Sequence, residues 1–361
     1  MNDMNKKVLF IIVAVTVFAS CRKESSEIPA IFIDISRESK AYLSEIAEKV
    51  DMVKLETTEN SLIQEIRDVG ILSDHYFIHH GTYSEVLMFD LTGQFIKKVG
   101  QIGRGPGEYI ALTGIAVDAE SRRLLVNSRE LMIFDEDGVF VESVGHTNRM
   151  PSYMFVYNKQ MYGVHQSLDW AERGEGSNIF LTTRNTTDWK LIDSVYFTHF
   201  SGMRIFAPQN SLSQSNQSIY FHFYGIEDAS GKTSGVDTLY LFKDQKTIPY
   251  LTAQVVGKGE NGGAVSRIVM TDNYGIVTHA ISVQDPDARW PRSVYSQYYF
   301  SSQTMKGKNA TNGFIDDFYS GSNVTITPIP NTNKFFYYIN DYSDLEIVPN
   351  PTLYIGTFKE K

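Results

Sequence analysis

From Met52 onward the chain alternates short apolar runs, rich in β-branched and aromatic residues, with Gly, Asp and Asn, the pattern of strands joined by turns. Two stretches overlay in register. Val86-Leu-Met-Phe-Asp90-Leu-Thr-Gly93-Gln-Phe95-Ile-Lys-Lys-Val99-Gly100 returns as Leu131-Met-Ile-Phe-Asp135-Glu-Asp-Gly138-Val-Phe140-Val-Glu-Ser-Val144-Gly145, with Phe, Asp, Gly, Phe, Val and Gly at a constant offset of 45 residues. Upstream, Gly70-Ile71 and Asp74 recur as Gly114-Ile115 and Asp118 at an offset of 44. Each unit reads as strands turning at an aspartate that caps backbone N–H groups and a glycine that supplies the positive φ.

A repeat of about 45 residues with four short strands has the size of one propeller blade. One blade cannot cover its own apolar faces, whereas blades set around an axis cover each other and leave only short edges. Further hairpins follow at Ile179 to Leu191 and Leu239 to Asp244, and two more units at Met270 to Phe300 and Phe314 to Phe358. The body of about 310 residues divides into six blades of about 50, or alternatively seven of about 45, and long polar stretches at Asp169 to Ser177 and Glu227 to Val236 favour six. The predicted fold is therefore an all-β, six-bladed β-propeller.

The ends of the body predict how the ring closes. Thr352 to Phe358 is a final strand without a complete blade, and Met52 to Glu56 is an initial strand without one, so the two are expected to pair. Ahead of them Leu43, Ile46, Ala47 and Val50 fall at helical spacing, which predicts a short amphipathic helix over 40–50.

The N-terminus carries an address. Lys6 and Lys7 precede an apolar run from Val8 to Ala19 that is too short to cross a bilayer and reads as the core of an export signal. It closes on Phe18-Ala19-Ser20-Cys21, which resembles a bacterial lipobox and makes Cys21 the expected lipidation site. Cys21 is the single cysteine among 361 residues, so no disulfide can brace the body. The expected organisation is a signal over 1–20, a lipidated tether over 21–38 and one propeller domain over 39–361.

Composition narrows the partners. With 42% hydrophobic, 13% aromatic and 21% charged residues the chain has material for a core, and a net charge of −9 argues against nucleic acid as a partner. The lipobox, Leu43-Ser-Glu-Ile46, Val53-Lys-Leu-Glu-Thr57 and Ile102-Gly-Arg-Gly-Pro-Gly-Glu-Tyr109 together resemble the six-bladed β-propeller lipoproteins of the Bacteroidetes type, relatives of NHL-like propellers. That resemblance implies a ring anchored by lipid in the cell envelope and implies no reaction; the expected site is the outer membrane, at its periplasmic or its surface face.

Candidate ligand-binding residues lie in two kinds of segment. Gly103-Arg104-Gly105-Pro106-Gly107-Glu108-Tyr109 joins two blades: its glycines allow close backbone approach, and Arg104 suits a carboxylate, phosphate or uronic acid. The alternative for this loop is a shaped crossover with Arg104 and Glu108 ion-paired. Trp170 in the Asp169 to Ser177 stretch and Arg289-Trp290 in Asp285 to Pro291 suit stacking on a sugar or anchoring a protein. The eight histidines form no metal-ligand motif and no Gly-x-Ser-x-Gly elbow occurs. No cofactor is predicted, and a channel metal held by scattered side chains is left open. The expected role is a binding module for a glycan, peptide or envelope protein partner; the alternative is a lyase or hydrolase with its site at the channel mouth.

Overall fold

The computed structural model describes residues 28–81, 85–146, 150–168, 177–200, 212–223, 237–257, 263–283, 292–341 and 348–360. Six sheets carry the fold. Blade 1 holds Ile66–Leu72, His75–His80, Glu85–Asp90 and Phe95–Val99; blade 2 holds Gly114–Asp118, Arg123–Asn127, Glu130–Asp135 and Phe140–Gly145. Blade 3 follows with Tyr153–Tyr157, Gln160–Leu168, Ser177–Asn185 and Leu191–Phe200, and blade 4 with Leu212–Ser215, Ser218–His222, Thr238–Lys243 and Lys246–Val256. Blade 5 comprises Ala264–Met270, Tyr274–Val283, Arg292–Ser301 and Gly307–Ala310. Blade 6 takes Thr327–Ile329, Lys334–Ile339 and Thr352–Phe358 from the C-terminal end and Ala47–Lys54 from the N-terminal end. The chain forms a six-bladed β-propeller, which excludes the seven-bladed alternative.

The repeated aspartates and glycines do what the sequence assigns them. Asp90 Oδ1 accepts the N–H groups of Thr92 (2.8 Å) and Gln94 (3.0 Å), and Asp135 Oδ1 those of Asp137 (3.1 Å) and Val139 (2.8 Å). Gly93 sits at φ +91°, where a Cβ would also meet the Lys54 carbonyl oxygen, so the turn both reverses the chain and touches the preceding blade. The paired phenylalanines meet edge to face, Phe89 with Phe95 and Phe134 with Phe140, at centroid separations of 5.6 and 5.8 Å.

Six apolar clusters fill the six wedges between blades. Leu353 and Phe336 of blade 6 meet Ile78 and Leu87 of blade 1, Phe77 and Val86 of blade 1 meet Leu124 and Phe134 of blade 2, and so on around the ring. Each blade thus buries both faces on its neighbours, which lets a disulfide-free ring hold together.

Closure occurs through an antiparallel ladder from Ala47↔Phe358 to Lys54↔Thr352, with Met52 opposite Tyr354. Asn350, 6% exposed, ties the following connection to this seam. Its side chain accepts from Ile63 N (2.8 Å) and donates to the carbonyls of Glu56 (2.8 Å) and Ser61 (2.7 Å).

Two expectations about the N-terminal segment need correction. The helix predicted over 40–50 is a single turn, Leu43–Ile46, and Ala47–Lys54 is a strand. Leu43, Ile46, Ala47 and Val50 are all buried, but a bulge between Ala47 and Lys49 shifts the strand's alternation, so buried positions fall three apart and imitate a helix. The expected tether over 21–38 also contains structure. Ala30–Asp34 form a fifth, outer strand of blade 4, parallel to Thr252–Val256, and bury Ile31 and Ile33 between blades 4 and 5.

Candidate functional site

The four-stranded repeat gives the ring two unlike ends. At one end first strands turn into second strands and third into fourth through tight turns such as 73–74, 91–94 and 136–139, the last two capped by Asp90 and Asp135. At the other end second strands join third strands, and fourth strands join the next blade. The connections from Leu168 to Ser177, His222 to Thr238 and Val283 to Arg292 all leave from that second end. Long connections on a rigid scaffold are where binding groups concentrate.

At the same end a charged group converges on the channel. Asp68, Tyr153 and Arg267 belong to the first, innermost strands of blades 1, 3 and 5, so alternate blades direct them toward one axis. Asp68 is 8% and Tyr153 6% exposed, while Arg267 is half-buried. His79 stands opposite Asp68 in the ladder, its Nδ1 3.4 Å from Asp68 Oδ2. Burial lowers the pKa of the Arg267 guanidinium, and the nearby Tyr153 and Asp68 act against that fall. Burial raises the Tyr153 phenol well above its ordinary range, with the Asp68 charge adding to the rise, so it stays a protonated donor. The Arg267 guanidinium donates no hydrogen bond to a described residue, while its backbone pairs with Thr278 in the ladder. The mouth therefore presents a guanidinium and a phenol, held on strands, next to one carboxylate.

Two small cavities lie along the innermost strands. A cavity of about 30 Å³ lies against Val69, Ile71, Val117, Phe155 and Pro328, and another of about 40 Å³ toward the far end against Ser213, Thr271 and Asn333. Cavities of this size hold a few waters. Among the described residues no group of three His, Cys, Asp or Glu side chains converges as a metal site.

The glycine-rich loop is a braced crossover. Gln101 and Ile102 pair in parallel with Glu108 and Tyr109, Gly103 N donates to Tyr109 O (3.0 Å) and Glu108 N to Gly105 O (3.0 Å). Glu108 is turned inward on the loop: its carboxylate accepts from Gly105 N (2.7 Å) and Gln101 Nε2 (2.5 Å), which lowers its pKa. Tyr109 is 2% exposed in the core between blades 1 and 2. Its hydroxyl receives Val86 N and donates to Val99 O, both at 3.2 Å, and burial pushes its pKa to about 12. Glu108 and Tyr109 therefore build the loop, whereas Arg104 stays exposed on it and, among the described residues, pairs with neither Glu108 nor any other acid.

Of the other expected residues, Cys21, Trp170, Arg289 and Trp290 lie outside the described residues. The connections that carry Trp170 and Trp290 start and finish at the channel-mouth end. Asp68, Tyr153 and Arg267 were not singled out from sequence, because each looks like one polar residue in an apolar strand. A signal did exist for Asp68: in the repeat its counterpart, two residues before Gly114, is the buried Leu112.

Comparison with known proteins adds fold and family. A family described as "Domain of unknown function (DUF4934)" matches residues 29–353. The crystal structure of a protein described as exported, from Bacteroides fragilis NCTC 9343, superposes with a TM-score of 0.61 at 11% identity, covering 92% of this chain and 100% of that one. The structure of U3-55K superposes with a TM-score of 0.50 at 8% identity, covering 88% and 99%. The β-propeller domain of a Myceliophteria thermophila protein does so at 0.43 and 10%, covering 86% and 100%. No curated protein matches the chain.

Proposed function

This chain belongs to the DUF4934 family, and from that premise we propose that it is an exported binding module, a rigid ring that presents one ligand-recognition face from a lipid anchor at the cell envelope. The channel mouth carries the reading. Arg267 and Tyr153 are set on innermost strands, and the Arg267 guanidinium donates no hydrogen bond to a described residue, so it can engage a ligand with little reorganisation. Arg104 lies on its braced loop at that end, and the strands flanking the connections that bear Trp170, Arg289 and Trp290 end there. Such a ring suits a glycan, peptide or envelope protein partner.

Anchoring rests on the first 21 residues and on the likeness to a protein described as exported. Among the described residues no helix is long and apolar enough to cross a membrane. A lipid on Cys21 is the proposed means of attachment. Expression of Cys21→Ser in a bacterium that processes lipoproteins tests this: the variant leaves the detergent phase on partitioning, whereas retention there contradicts the anchor.

Binding itself is tested by a glycan and peptide screen on protein lacking residues 1–21. Saturable binding that Arg267→Gln or Trp290→Ala abolishes supports the reading. A screen without a saturable ligand, or binding indifferent to every substitution on this face, overturns it.

A further inference from the structure

The crossover from blade 1 to blade 2 borders a cleft of about 160 Å³ that runs from the turn Ser128–Glu130 at the channel-mouth end along the outer strands of blade 2 to Phe140. One wall is the glycine-rich loop from Gly103 to Ile110, the other the turn Ser128 to Glu130 between the second and third strands of blade 2. The floor is apolar, made by Met132 and Phe140, and Phe140 is fixed edge-on to Phe134. Both walls are rigid: the loop by the bonds described above, and the turn by Ser128 N donating to Glu130 O (3.2 Å) and by His146 Nε2, 2.9 Å from Ser128 O.

Each wall carries one exposed arginine, Arg104 and Arg129. Among the described residues neither guanidinium makes a hydrogen bond or an ion pair. The acids in the cleft differ from each other. The Glu108 carboxylate is already engaged by Gly105 N and Gln101 Nε2, while the Glu130 side chain accepts no hydrogen bond from a described residue.

We propose that this cleft binds an acidic sugar unit, with Arg104 and Arg129 on the carboxylate, Phe140 under the ring, and Glu130 with Ser143 on the hydroxyls. Guanidinium groups match a planar carboxylate, and an apolar ring floor matches the less polar face of a pyranose. Two glutamates in the same cleft oppose a doubly charged phosphate but accept hydroxyl donors, so a monoanion with adjacent hydroxyls fits better. A cleft of about 160 Å³ also suits a single ring more than an extended peptide. The assignment rests on the reading that this face binds ligands, and it names the class of ligand at the rim.

The test is calorimetric titration of protein lacking residues 1–21 with trigalacturonate, neutral trigalactose and an acetylated, amidated glutamate peptide as separate probes. Wild type and the variants Arg104→Gln, Arg129→Gln and Arg267→Gln are compared, with melting curves to establish folding. The expected result is saturable trigalacturonate binding that weakens about tenfold with Arg104→Gln and with Arg129→Gln and falls as salt rises. Equal binding of trigalactose, binding of the peptide in place of the sugar, or rim variants that bind within twofold of wild type overturn the proposal. Trigalacturonate binding lost only with Arg267→Gln overturns the rim site and leaves the broader reading of the face standing.

Discussion

Replacing Asn350 by Ala removes the polar clamp at the ring's seam and nothing else. The side chain makes three hydrogen bonds that alanine cannot make, to Ile63 N, Glu56 O and Ser61 O, at 2.8, 2.8 and 2.7 Å. The residue is 6% exposed, so water cannot easily replace the lost partners. At about 1 kcal/mol net per bond, the loss comes to about 3 kcal/mol. For a domain of this size that lowers Tm by about 5 °C. The measurement is thermal unfolding followed by circular dichroism, with Asn60→Ala as the control, since Asn60 is exposed in the same connection. Hydrogen exchange gives a second readout: Ile63 N–H and the ladder from Ala47 to Lys54 exchange faster in Asn350→Ala than the ladders of blade 2 do. A midpoint shift no larger than that of Asn60→Ala, with unchanged exchange at Ile63, refutes the view that this residue secures the seam.

Two further outcomes follow from packing and burial. Gly275 and Gly356 each face a phenylalanine across the ladder, and an added Cβ would lie 2.0 Å from Phe300 Cζ and Phe335 Cζ respectively, so Gly275→Ala or Gly356→Ala costs about 1–3 kcal/mol in urea unfolding, and a neutral result removes the close-packing argument. His80 and His279 have pKa values lowered by burial, so as pH falls through about 6.5 the unfolded chain takes up protons first and the folded state loses stability; Tm at pH 5.5 should lie below that at pH 7.5, less so in His279→Gln, and a flat profile contradicts the buried neutral histidines.

Turn chemistry made the blades legible in the sequence, because Asp90, Gly93 and Phe95 act within one hairpin and recur as Asp135, Gly138 and Phe140. The closing pair was legible for a different reason: each end offered one strand with no local partner. Local pattern misled at Ala47 to Val50, where a bulge gives a strand a helical spacing. Ala30–Asp34 alternates as a strand should, with Ile31 and Ile33 inward, but its partner lies more than two hundred residues away and nothing local points to it. The channel mouth was hidden in the same way. Asp68, Tyr153 and Arg267 meet only when three blades share an axis, whereas Arg104 was visible because three glycines frame it.

The claim that one end of the ring is a binding face is tested most directly by a hydrogen–deuterium exchange footprint of protein lacking residues 1–21, with and without a saturating ligand from the screen. The account predicts slowed exchange in the segments around Gly103–Ile110, Ser128–Glu130 and Arg267, and unchanged exchange in the turns 91–94 and 302–306 at the opposite end. Protection confined to those opposite turns would contradict it.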